Sequence, residues 1–141
     1  MIIKRLKLIN IRSYSNQEII FPNGNILLSG NIGSGKTSLL LAIDFVLFGL
    51  RKGVLSGASL LRHGENEGSV ELNFEIDGKN VFLKRNLKRD KAGVRQISGY
   101  IIVDEEKLEG TAVQLKQKVL ELFNYPMESL TKSKSLVYNF T

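Results

Sequence analysis

The stretch 27-LLSGNIGSGKTSLLLAI-43 places three glycines, Gly30, Gly33 and Gly35, directly before an apolar run. Glycine is the poorest residue after proline with which to enter a helix, so their position calls for a reason. Gly30, Gly35, Lys36 and Thr37 fit G-x-x-x-x-G-K-[ST], the phosphate-binding P-loop pattern. The flanks agree with it. Ile26-Leu27-Leu28 reads as a short buried strand, and Leu39, Leu40, Ala42, Ile43, Val46 and Leu47 recur as one face of a helix. Small residues let the chain wrap an anion closely, and successive backbone N–H groups turn inward to meet it. The helix N-terminus adds unpaired donors and the positive end of its dipole. In such a loop Lys36 reaches the β- and γ-phosphates of a nucleotide, and the Thr37 hydroxyl ligates Mg²⁺.

The rest of the chain bounds this reading. Its 141 residues suffice for one domain or one lobe of a larger protein, and 43% hydrophobic residues support a folded core. It contains no run of eighteen apolar residues, so no membrane-spanning helix is expected. Residues 1–12 interleave Lys4, Arg5, Lys7 and Arg12 with Ile and Leu, which reads as a strand rather than a signal peptide. The absence of cysteine excludes disulfides, thiol nucleophiles and thiolate metal sites within these residues. An intracellular address, cytoplasm or nucleoid, is the expectation. A net charge of +6 suits an anionic partner without naming one.

Along the chain, "MIIKRLKLINI" reads as a strand, "SYSNQ" as a turn and "EIIF" as a second strand. The tight turn "PNGN" then leads into the strand before the P-loop. The helix from about Lys36 should stop near Gly49. Residues 50–68 read as glycine-rich loop with one helical turn at "ASLL". Two alternating segments about Asp77-Gly78 form the strongest short hairpin signal. "VRQISGYIIVD" extends that sheet to a turn at Asp104-Glu105. An amphipathic helix follows from Thr111, its N-cap, with Val113, Leu115, Val119, Leu120, Leu122 and Phe123 as apolar face. "MESLTKSKSLVYNFT" opens as a short helix. An antiparallel pair ahead of the P-loop strand is the layout of ABC-type ATPases rather than of small GTPases or adenylate-type kinases.

"LINIRSYSNQEIIFPNGNILLSGNIGSGKTSLLLAI" and "LLRHGENEGSVELNFEIDGK" resemble the N-terminal lobe of SMC-like ATPases, in particular the archaeal ATPase subunit of the Mre–Rad double-strand-break repair complex. The likeness runs nearly the length of the chain. It implies an α/β lobe over residues 1–141, with a mixed sheet and an antiparallel β-subdomain around the P-loop helix. In the family a coiled coil carrying a zinc hook and a C-terminal lobe complete the protein. ATP with Mg²⁺ is sandwiched in a homodimer that binds double-stranded DNA and regulates an Mre-type nuclease. By position, the resemblance places Asn31, Ile32, Gly33, Ser34, Gly35, Lys36, Thr37 and Ser38 around the phosphates, Arg12 beside them, and Arg62 and His63 beside the nucleoside. One departure is clear: the family reads G-x-N-G-x-G-K-[ST], and here Ile32 stands where that asparagine would be. The side-chain amide is therefore missing at that position.

Two further features have competing readings. Lys84, Arg85, Lys88, Arg89 and Lys91 cluster about a turn. They are either a solvated hairpin tip that discourages edge pairing or a surface for DNA phosphates, with Lys84, Lys88, Arg89 and Lys91 as its contacts. "YIIVDEE" at 100–106 mimics a Walker B strand, which would make Asp104 and Glu105 a magnesium ligand and a general base. No signature motif precedes it, and it falls in the β-subdomain, so a turn after an edge strand is the preferred reading. No complete catalytic set is then recognisable, and this chain alone is expected to bind nucleotide without turning it over. Three alternatives stay open: a RecF-type or other SMC-like lobe, a self-contained P-loop kinase or GTPase using Asp104 and Glu105, and a basic DNA-binding module.

Overall fold

A computed structural model describes residues 1–22 and 34–124, those at 34–36 by backbone alone. The strand expected at 26–28, the loop residues Asn31, Ile32 and Gly33, and the helix expected to open at Met127 lie outside the described residues.

Six strands form one sheet: β1 (Ile2–Ile11), β2 (Tyr14–Ile20), β3 (Glu67–Ile76), β4 (Lys79–Asp90), β5 (Gly93–Val103) and β6 (Glu106–Gly110). Their order is β2-β1-β3-β4-β5-β6, and every described pairing is antiparallel. The mixed sheet expected from the resemblance is thus seen only in its antiparallel part. The N-terminal pair and the later hairpins, read from sequence as separate pieces, share this one sheet through β1–β3 pairing.

Alternation sets the two faces. Leu6, Leu8, Val70, Leu72, Phe74, Val81, Leu83, Leu87 and Ile101 point to one side and are buried. On that side lie α1 (Ser34–Phe48) and α3 (Ala112–Phe123). Phe123 joins the layers, with its ring 6.4 Å from Phe48 and 6.3 Å from Phe74. The other face carries polar rows. Lys7 stands between Glu18 and Glu71, and Glu71 between Lys7 and Lys84. Arg5 bonds Glu18 at 2.9 Å and Asn73 at 2.9 Å.

Helix α1 is buried from Ala42 through Phe48 without a polar stripe, as expected for a helix covered on several sides. Helix α3 starts at a capping box formed by Thr111 and Gln114 and ends at Asn124 in left-handed conformation. Its apolar face is narrower than the sequence suggests, because Val113 is 63% exposed. Two other expectations are corrected. "SYSNQ" is not a turn: the reversal takes only Arg12 and Ser13, and β2 begins at Tyr14. A sixth strand, β6, follows Asp104-Glu105. That pair forms a two-residue turn with both residues at positive φ, like Asp77-Gly78.

Candidate functional site

The start of α1 meets the β1–β2 turn. Asn10 and Arg12 both adopt positive φ, 53° and 52°. That is uncommon for arginine, and such strain persists where surrounding contacts over-determine it. Those contacts come from α2 (Gly57–Leu60) and the segment after it. The Arg12 N–H donates to Leu60 O at 2.8 Å, and Arg62 N–H donates to Asn10 O at 2.9 Å. The Asn10 amide donates to Glu67 O at 2.9 Å. So held, the Arg12 guanidinium extends to α1. Its Nε donates to Ser38 Oγ at 2.8 Å and its Nη1 to Ser59 O at 3.2 Å.

Among the described residues no carboxylate pairs with Arg12. A fixed, half-buried guanidinium at the N-terminal end of a helix, with no counter-charge among the described residues, forms an electropositive corner. Thr37, one residue before Ser38, is exposed. Arg62 lies against Arg12, donating from Nη1 to its carbonyl oxygen at 3.2 Å. His63 is exposed on the following turn. The structure therefore brings Arg12, Ser38 and Arg62 together, with Thr37 and His63 beside them. It describes the backbone alone of Ser34, Gly35 and Lys36.

The basic cluster does not form one surface. Lys84 and Lys88 project to the polar face, where Lys84 is paired across from Glu71 and Lys88 across from Glu67 and Arg95. Arg89 projects to the other side, and its Nε donates to Glu65 O at 3.0 Å. Lys91 is exposed on the turn. Arg85 is not a tip residue at all. It is fully buried and donates to Val46 O at 2.7 Å, Leu47 O at 3.1 Å and Ala112 O at 3.4 Å. It thereby satisfies carbonyls at the C-terminus of α1, where a cation also meets the negative dipole end. Burial first, and Arg51 second, lower its pKa to about 9, so it remains charged at neutral pH.

Asp104 and Glu105 sit at the β5–β6 turn, and Asp104 Oδ1 accepts the Asn80 N–H at 3.0 Å. They border a shallow cleft of about 340 Å³ with Asn73, Asn80 and Phe82. Phe82 and Asn73 belong to the polar face, opposite α1. This is the turn that the sequence favours, and it leaves both carboxylates away from the Arg12 corner.

Sequence reasoning missed two buried charged groups, Arg85 and Asp44. Asp44, in mid-α1, is 3% exposed and paired with Arg51. Burial raises its pKa, while Arg51 and then Lys116 oppose the rise. Lys116 is itself lowered, first by burial and then by Arg51 and Arg85. Asp44 Oδ1, Arg51 Nε and Gln96 Nε2 meet no hydrogen-bond partner among the described residues. An Asp inside an apolar helical run and an Arg at an inward strand position were the available signals.

A family model described as an AAA domain matches residues 5–137. A DNA double-strand break repair Rad50 ATPase of Thermoplasma acidophilum is 33% identical over 140 residues, covering 99% of this chain and 15% of that protein. Its namesake in Methanococcus maripaludis is 40% identical over 85 residues, 60% of this chain and 9% of that protein. The chain thus spans a small fraction of these relatives. Among solved structures, the recombination mediator protein RecF-ATPrS superposes with a TM-score of 0.52 at 19% identity. That match covers 80% of this chain and 29% of RecF, and it speaks to the fold alone.

Proposed function

We propose that this chain, which belongs to the AAA domain family, is the nucleotide-binding lobe of an SMC-like, Rad50-type ATPase of DNA double-strand-break repair. The observation that carries the reading is Arg12, a guanidinium with no carboxylate partner among the described residues, bonded to Ser38 at 2.8 Å directly after the G-x-x-x-x-G-K-T sequence. Phosphate is the anion that such a corner and such a loop both suit. The residues fit the group. The loop Gly30–Gly35 would cradle the phosphates, Lys36 and Ser38 would contact them, and Arg12 would add charge from the side. Arg62 would hold Arg12 in register, with His63 toward the nucleoside.

The exposed Thr37 hydroxyl fits a Mg²⁺ ligand. Bound Mg²⁺ would neutralise charge across the β- and γ-phosphate oxygens. Hydrolysis also needs a positioned water and groups at the far side of the γ-phosphate. Asp104 and Glu105 are badly placed for that, on a turn bordering the opposite face of the sheet. Those groups would come from the protein's own C-terminal lobe and from a second copy in an ATP-bound homodimer. Double-stranded DNA and an Mre-type nuclease complete the proposed partners, with Lys88 and Lys91 as exposed cations near the tip of the β4–β5 hairpin.

The test is steady-state phosphate release by the purified chain, alone and mixed with the C-terminal lobe. Background release alone and Mg²⁺-dependent release on mixing are expected. Turnover by the chain alone that is abolished by Asp104→Ala and Glu105→Ala would replace this reading with a self-contained enzyme.

A further inference from the structure

We infer that Gly57 is a positioning residue for Arg12: helix α2, seated on the start of β5 through this glycine, aims the guanidinium at the P-loop helix. The inference rests on the nucleotide-site reading above and adds the element that sets the site's geometry.

Each link is a direct contact. A Cβ built on Gly57 would lie 2.6 Å from Val94 Cγ1 and 2.8 Å from Val94 O, so only glycine lets α2 sit so close to β5. The turn is tied internally. Ser56 Oγ accepts the Ser59 N–H at 3.3 Å, Ser59 Oγ donates to Ser56 O at 2.8 Å, and Leu61 N–H donates to Gly57 O at 2.9 Å. A shift at Gly57 therefore carries Ser59 and Leu60 with it. Those two residues hold Arg12 at both ends, Leu60 O accepting its backbone N–H at 2.8 Å and Ser59 O its Nη1 at 3.2 Å. Leu61 also bridges to Ile11.

The displacement that an alanine demands is comparable to the slack in these bonds. Returning the Val94 contacts to ordinary van der Waals distance requires roughly 0.6–0.8 Å of movement. The 3.2 Å bond to Ser59 O is already near the outer limit of useful geometry. Either α2 moves and Arg12 loses its support, or β5 moves and takes the Lys91–Ala92 turn with it. The first is favoured because Val94 is locked into the β4–β5 ladder opposite Arg89, whereas α2 is a single turn with no strand beside it in the sheet.

The experiment measures ATP affinity by calorimetry in the full-length protein, for wild type, Arg12→Ala, Gly57→Ala, the double variant and Lys36→Ala. Arg12→Ala should weaken ATP about tenfold or more, the loss expected for one charge-assisted contact. Gly57→Ala should weaken it several-fold, and the double variant should be no weaker than Arg12→Ala alone. Losses that multiply in the double variant, or no loss in Gly57→Ala, overturn the inference. Should Gly57→Ala fail to fold, Ser56→Ala, at an exposed position, loosens the same turn and takes its place in the cycle. Unchanged affinity in Lys36→Ala would instead fail the nucleotide-site reading itself, and this inference with it.

Discussion

Arg85 shows how one side chain can hold two layers together. Its guanidinium replaces the water that Val46 and Leu47 carbonyls would otherwise need, and it reaches Ala112 at the start of α3. Arg85→Ala removes a buried charge whose partners are carbonyl dipoles, leaving them unpaired beside a cavity. A destabilisation of about 3–5 kcal/mol is expected in urea unfolding. Arg85→Lys keeps the charge but not the fork, and should lose about half as much. Asp44 makes a pH prediction. Its folded pKa is raised by burial, so between the ordinary carboxylate value and the raised one the folded state binds more protons than the unfolded chain. Its contribution to stability must then fall as pH rises through that window. The stability of wild type minus that of Asp44→Asn, from urea curves at several pH values, should decline over the same interval. A difference that rises there would mean that Arg51 dominates over burial.

At the scale of elements, the sequence showed most where local chemistry and pattern agree. The Asp77-Gly78 hairpin, the helix after the glycines and the Thr111 cap were legible because turn residues, period and capping side chains are all local signals. Strand β6 was not, since Asp104 and Glu105 are poor candidates for two consecutive positive φ values and all but one of its residues are exposed. Nor was the joining of β1 to β3, whose pairs run from Ile9 with Ser69 to Ile2 with Glu75, far apart in sequence. The site divides the same way. Lys36 and Thr37 are named by the motif alone, whereas the support of Arg12 by α2 depends on a long-range approach that no spacing encodes.

The β4–β5 hairpin separates two kinds of lysine. Lys88→Glu with Lys91→Glu should flatten the salt dependence of duplex DNA binding by the full-length protein, by about 0.9 in log–log slope per lost phosphate contact. Lys84→Glu places a carboxylate across from Glu71 and should cost about 0.5 kcal/mol of stability. An unchanged slope in the double variant would leave these charges a solubilising role only.

For the molecule as a whole, a one-sided sheet, a helix buried on nearly every side and a positively charged corner, without a counter-charge among the described residues, converge at the N-terminal end of α1. The polar face opposite is internally compensated by its alternating Glu and Lys rows. Away from the β4–β5 tip it therefore offers little net field to an anion, and the attraction for nucleotide phosphate is concentrated where Arg12 meets Ser38. The central claim is that this corner and the glycine loop bind a nucleotide triphosphate. Calorimetric titration of the purified chain with ATP and Mg²⁺, beside Lys36→Ala, tests it most directly. Saturable one-to-one binding by the wild type, weakened by roughly 1.5–3 kcal/mol in Lys36→Ala, is the predicted result. No binding by a folded wild-type chain, or equal affinity in the two proteins, would contradict it.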